Sequence, residues 1–415
     1  MSVKFFENDR NNKLLTCYSS LSNNSLICKT LPYSLVDSCS EKEVTESVCT
    51  FQDISFKAKG NTEPSSTKRQ NIAIVMESFQ GLSDRVRRVF SETVQLGLQP
   101  TVKDSDVPQL FREPGVINGY RKPHQPFRYY LISLFQIHNE TVNVWTHIVG
   151  FFVIWFTMAE YYEKLDFWNN KHSWAMLVLG CCVLIACFVS SCVHLLHSKS
   201  EIWHYNAFMI DYIGAALYAY GTGVMAFYIC SDRETYYAIE QYYFPILWFY
   251  SLFNYSAMCF AKVYYGCDTH NRNRKLIMVT AMAGHAIMLT IPMGPRYIKC
   301  YMDETCSLSS LNHLTRCYIL FALQAFFFAS HLPEVLSPGK FDILGQGHQI
   351  FHVLSTICQC AQFNGIYHEI HTGHAAHGDP DLPHLIFSTI MLIIVQIVVM
   401  QSMRKMIPVK STKSS

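Results

Sequence analysis

Eight apolar runs, each close to the length of a bilayer's hydrocarbon core, fill this chain between residues 142 and 403. They fall at about 142–161, 173–195, 207–230, 242–261, 276–293, 313–332, 349–369 and 385–403. Roughly 20 helical residues cross hydrocarbon, and a helix satisfies its own backbone there, so an all-α, polytopic membrane helix bundle follows. The expected architecture is a seven-helix core with an eighth C-terminal span. That last run, Leu385 to Met403, carries no charge, while the fifth is short and contains His285. Composition agrees: 50% of residues are hydrophobic and 15% charged, against about a quarter charged in soluble domains. A net charge of +2 gives no field to attract nucleic acid, which is excluded as a partner.

The remainder divides simply. Residues 1–82 are rich in Ser, Asn, Thr and Lys and read as a disordered polar tail. Their first stretch, Met1 to Lys13, lacks the apolar core of a cleaved signal, so insertion is expected to rely on internal segments. Residues 83–141 form a cytosolic juxtamembrane segment, 142–403 the bundle, and 404–415 a basic cytosolic tail. The 16 cysteines contain no CxxC pair, so a thiolate zinc knuckle is not expected. Cys300 and Cys306 share a loop and can pair if that loop is external.

Orientation follows from Lys and Arg in the short flanks. With eight spans and the N-terminus inside, fourteen such residues fall inside and six outside. The inside weight comes from Arg272, Arg274 and Lys275 and from the C-terminal cluster. Both termini are therefore expected in the cytosol, with the protein in the cell membrane.

Ionisable groups inside membrane helices are costly and usually functional. Four sets stand out. Glu140, Asn143 and His147 enter the first span at spacings that place them on one helix face. Ser190 and His194 leave the second, Asp211 lies one turn into the third, and His348 and His352 enter the seventh. Under the charge-derived topology all four sets share the cytosolic leaflet, although metal chemistry took no part in that count. His at i and i+4 with a third His from another helix makes a three-ligand metal site, His194, His348 and His352, with a coordination position left open. Asp211 could hold water there, and Ser190 could orient a ligand. The plain alternative is interhelical hydrogen bonding, which also suits Glu140 and His147. The His-rich stretch His368–His384 and the triplet Asp232-Arg233-Glu234 both fall outside and read as solvated loop and coincidence.

Several separated motifs carry a resemblance. Gly119-Tyr120-Arg121, SLFQIHNETVNVWTH from Ser133 to His147, Ser190-x-x-x-His194, Asp211-Tyr212, and PGKFDILGQGHQIFHV from Pro338 to Val353 are similar to the progestin and adiponectin receptor family. SEIWHYNAFMIDYIG from Ser200 to Gly214 and the eighth span favour its membrane progestin receptors of the alpha/beta type. The resemblance covers about residues 107–403, and the long N-terminus departs from it. It implies a cytosolic-side Zn2+ held by His194, His348 and His352, with Asp211 at its water. It also implies progestin binding from outside and rapid non-genomic signalling, proposed through an inhibitory G protein. The adiponectin-receptor branch implies instead a zinc-dependent ceramidase-type hydrolase acting on ceramide or a related lipid. Receptor and enzyme are both open on the residues alone.

Overall fold

The structure is a computed structural model. It describes residues 2–3, 13–20, 25–32, 48–49, 98–266, 268, 271–373 and 378–407. The chain forms two compact units, Met1–Gly81 and Leu82–Ser415.

Among the described residues of the N-terminal unit, β1 (Ser2–Val3), β2 (Lys13–Ser20), β3 (Ser25–Pro32) and β4 (Val48–Cys49) pair antiparallel in chain order. Leu14 pairs with Leu31 and Cys17 with Cys28 across β2 and β3. At these stretches regular pairing replaces the expected irregular tail. Each of β2 and β3 is an eight-residue run containing β-formers such as Thr16, Tyr18, Ile27 and Thr30, and each finds a partner of equal length four residues away. The rest of residues 1–82 lies outside the described residues.

Among the described residues of the second unit, eight long helices follow a juxtamembrane segment. They are α1 (Thr141–Leu165), α2 (Ser173–Leu196), α3 (Glu201–Met225), α4 (Arg233–Tyr265), α5 (Arg272–Met302), α6 (Asn312–Ser330), α7 (Gly347–His371) and α8 (Leu382–Arg404). All eight apolar runs fall on these helices. The described residues of this unit are helical or irregular apart from one isolated bridge, Val102 to Tyr120. Five of the helices, α1, α2, α3, α5 and α8, are long and apolar enough by themselves to cross a membrane. In α7 the inward polar residues Gln349, His352, Gln359 and Gln362 dilute the apolar signal.

Consecutive helices pack against one another, and α7 closes the ring onto α1. The eighth helix stands outside the ring against α4 and α3. It is fastened by Tyr220 Oη to Ser388 Oγ at 2.8 Å and by Trp248 Nε1, which donates to Ser388 O at 3.0 Å. Helix ends carry ordinary caps: Ser200 accepts from Trp203 N, and Asp232 from Thr235 N. Asp232 and Glu234 also pair with Lys299, so that triplet is a helix cap with an ion pair. A disulfide joins Cys300, in the last turn of α5, to Cys306 just beyond its end.

The juxtamembrane segment locks onto the loop before α7. The Asp342 carboxylate accepts from Ile117 N at 2.8 Å, Asn118 N at 3.0 Å and Asn118 Nδ2 at 2.8 Å. Gly119 follows with φ +91°, and a Cβ there would lie 2.8 Å from Ile343 Cδ1. Two stretches far apart in sequence are thus one structural element, and they set the register of α7 against α1.

A histidine cluster at one end of the helix ring

The end of α2 is held by a buried guanidinium. Arg121 donates to His194 O at 2.8 Å, to Leu195 O, and to Ser133 Oγ at 3.0 Å. These carbonyls have no partner within the helix, so a cation there satisfies them and suits the helix dipole. Burial lowers the Arg121 pKa to about 10, which leaves it charged at neutral pH. The clamp fixes the turn that carries His194.

Opposite it, the first turns of α7 present His348 and His352 on one face. His348 Nε2 lies 3.3 Å from His194 Nε2 and 3.1 Å from His352 Nε2. Ligand atoms of the three residues all fall within 4.8 Å of one another. His194 and His352 are buried, and His348 is partly so.

The partners on the far side of each ring fix the tautomers. Glu140 Oε2 accepts from His194 Nδ1 at 2.8 Å, and Asn143 O accepts from His352 Nδ1 at 3.3 Å. Thr146 Oγ1, whose own hydroxyl donates to Val142 O, also lies 3.2 Å from His352 Nδ1. With both Nδ1 atoms protonated, His194 and His352 turn bare Nε2 lone pairs towards His348. One N–H on His348 can serve only one of them. A metal cation satisfies all three, and zinc–nitrogen bonds of about 2.0–2.1 Å in a tetrahedron put nitrogens about 3.3–3.4 Å apart. The cluster could therefore hold a metal ion.

Glu140 is itself aligned by a chain of buried groups. Lys262 Nζ donates to His204 Nε2 at 2.9 Å, His204 Nδ1 meets His197 Nδ1 at 3.1 Å, and His197 Nε2 reaches Glu140 Oε1 at 3.6 Å. Asn143 Nδ2 donates to Glu140 Oε2 at 2.8 Å. This chain and the Arg121 clamp are absent from the sequence reading. Their sequence hints are the spacing of His197, three residues after His194, and the place of Arg121 and His204 within the Gly119–Arg121 and Ser200–Gly214 motifs.

Ser190 on α2 and Asp211 on α3 both line an apolar cavity. Asp211 and His348 border two cavities at once. One is a polar vestibule with Glu113, Glu140, His194, Lys262, Arg274 and Glu334 in its walls. The other is apolar, runs inside the ring and is lined from all seven of its helices. The His147 ring lies tilted against His352 with centroids 3.8 Å apart, and His147 lines the apolar cavity. All eight residues singled out from the sequence thus gather at one end of the ring.

The described histidines of the expected solvated loop lie instead on helices, His368 and His371 in the last turns of α7 and His384 in the first turn of α8. His371 stacks on Tyr367, while the rings of His368 and His384 lie tilted against His313 and Phe244. His374 and His377 lie outside the described residues.

The model of the haemolysin-III-related family matches residues 135–363, more than half of the chain. The chain belongs to that family. Within it the similarity extends to curated proteins named for progestin. Membrane progestin receptor alpha-B of Danio rerio is 36% identical over 306 residues, covering 71% of this chain and 84% of that protein. Membrane progestin receptor alpha of Homo sapiens is 32% identical over 295 residues, with 70% and 84% covered. Membrane progestin receptor beta of Homo sapiens is 36% identical over 270 residues, with 64% and 75% covered. The chain is a multi-pass membrane protein of this family, and it is similar to membrane progestin receptors alpha and beta.

Proposed function

We propose that this protein is a membrane progestin receptor for rapid signalling, with a zinc ion held by His194, His348 and His352 near the cytosolic face. The observation that carries the reading is the apolar cavity inside the seven-helix ring, which borders the histidine cluster in a chain 36% identical over 306 residues to a membrane progestin receptor. Such a cavity suits a ligand that is largely hydrocarbon. The cytosolic position rests on the Lys and Arg count, supported by the Cys300–Cys306 disulfide at the opposite end of the ring. The inhibitory G protein belongs to this proposal as its signalling partner.

Zinc bound to the three histidines would act as a Lewis acid towards a carbonyl oxygen. Glu140 orients His194 and strengthens it as a donor, and Asn143 O does the same for His352. The direct test is binding of labelled progesterone to purified protein, together with its zinc content. Saturable binding is expected, and its absence contradicts the receptor reading.

One observation favours a second reading. Asp211 borders both cavities, as does His348. A carboxylate in that place can take and return a proton during hydrolysis of an amide such as ceramide. Asp211→Asn separates the two readings. If hydrolysis drives the response, the variant retains zinc and progestin binding but loses about 10²–10⁴-fold in activity. If binding alone drives it, the response survives.

A further inference from the structure

The segment that leads into α1 has its polarity inside out. A short helix, Phe127–Ile132, runs into a tighter turn, Ser133–Phe135. The inward side is held by polar groups. Tyr130 Oη lies 2.8 Å from Lys122 O and 3.1 Å from Ser198 O, and Ser133 Oγ accepts from Arg121 at 3.0 Å. The outward side is apolar. Phe127 and Leu131 sit one helical turn apart, Phe135 and Ile137 continue the surface, and these four side chains are 39% to 61% exposed. A surface helix in water turns its apolar face inward. This face is built for a medium other than water.

The neighbours say which medium. Phe135 meets Trp145 in the first turn of α1 with ring centroids 6.3 Å apart, and Trp145 Nε1 donates to Leu134 O at 3.0 Å. Trp145 opens the exposed stripe of Val149, Phe152, Val153 and Phe156 on α1, the side a membrane helix turns to lipid. The apolar face of the segment is continuous with that stripe. At its other edge Phe127 packs edge-on against Trp203 in the first turn of α3, centroids 5.1 Å apart. Indoles at the ends of spans mark the level of the lipid headgroups. Cations rim the same face. Lys199 Nζ stands 4.5 Å over the Phe127 ring, and Arg128, the next residue, is exposed. Glu201, two residues beyond Lys199, approaches His124 Nε2 at 3.7 Å. An apolar face of Phe and Leu rimmed by Lys and Arg is the composition of an element lying in a membrane interface.

We propose that residues 127–137 form an interfacial foot, sunk into one leaflet and holding anionic lipid headgroups against Arg128 and Lys199. On the Lys and Arg count that leaflet is the cytosolic one, whose anionic lipids attract such cations. This stretch of the juxtamembrane segment then lies in the membrane surface rather than in the cytosol.

The test uses full-length protein in lipid nanodiscs, which offer both leaflets and so give the same answer whichever way the chain is oriented. The probes are phosphatidylserine and phosphatidylcholine, each with a photoreactive acyl chain, and cross-linked peptides are mapped by mass spectrometry. Wild type is expected to cross-link within residues 127–137 and to favour phosphatidylserine there by roughly tenfold, since each cation near an anionic surface contributes about fivefold. Arg128→Gln combined with Lys199→Gln should bring phosphatidylserine down to the level of phosphatidylcholine. The phosphatidylcholine cross-links should persist in that variant, because the apolar face is intact. Leu131→Gln combined with Ile137→Gln should lower the cross-links of both probes severalfold. The exchanged side chains stand at the surface, so the Tm in detergent should stay that of wild type. Arg404→Gln combined with Lys405→Gln, in the C-terminal cluster, should leave the selectivity of the foot unchanged. Equal cross-linking of both probes in wild type, or full selectivity in the Arg128→Gln, Lys199→Gln variant, would overturn the headgroup site. Absence of lipid cross-links within residues 127–137 would mean that water or protein covers this face, and would overturn the foot itself.

Discussion

The two ends of the helix ring each hold buried carboxylate and histidine, but they use them differently. At the end opposite the cluster, Glu369 takes Arg296 at 2.8 Å and His313 at 2.5 Å, and Arg296 also donates to Cys230 O at 2.9 Å. That set ties α5, α6, α7 and the turn after α3, and its charges meet inside the set. At the other end Glu140 orients His194 and Asn143 O orients His352, and with His348 three imidazoles meet beside two cavities. A closed ion pair staples helices. An open donor set with aligned supports is arranged to bind. The same residue types therefore diverge in role through what their second nitrogens and oxygens touch.

Removing the staple has the largest expected effect on folding. Glu369→Ala leaves Arg296 buried and uncompensated, so stability should fall by about 3–5 kcal/mol while metal content stays that of wild type. Thermal unfolding beside elemental analysis checks both halves, and metal loss in this variant would break the comparison. Glu140→Ala should behave in the opposite way. Losing the acceptor on His194 Nδ1 is expected to weaken metal affinity about 10–100-fold. Competition with a graded series of chelators measures it, and an affinity equal to wild type would make Glu140 a structural partner only.

The smallest effect concerns pH. Burial, reinforced by the charge of Glu140 and opposed by Lys262 and Arg274, pushes the Glu113 carboxyl from 4.5 up to about 7. A carboxyl raised in the folded state favours folding when protonated. Its contribution is fully present below about pH 4.5 and is lost as pH rises through about 7. Discounted for partial exposure, it amounts to roughly 1–2 kcal/mol. Glu113→Gln should flatten this part of the stability profile between pH 5 and 7.5. A profile of unchanged slope would mean that the vestibule wall around Glu113 is open to water.

The apolar runs announced the eight helices because hydrocarbon demands a uniform length, and length is written locally. The shared end of His194, His348 and His352 was legible for a related reason, since alternating spans and a few cations rank every residue by depth. Longer helix ends were not legible. Helix α4 starts at Arg233 and α5 extends to Met302, well past the apolar segments, because caps and the Lys299 pairs hold turns that have left the hydrocarbon. The partners of Arg121 and the Lys262–His204–His197 chain were also hidden. Each depends on which helix lies opposite, and periodicity along one strand of sequence carries no such information. The pairing of β2 with β3 escaped in the same way, since a short run of mixed polarity becomes a strand only through its partner.

The central claim is that His194, His348 and His352 together hold a metal ion. Its most direct test is the zinc content per chain of purified full-length protein, measured beside the His348→Ala, His352→Ala double variant. About one zinc per chain in wild type, nearly all lost in the double variant along with a lowered Tm, is the predicted result. Full zinc occupancy in the double variant, or none in wild type purified without chelator, would contradict it.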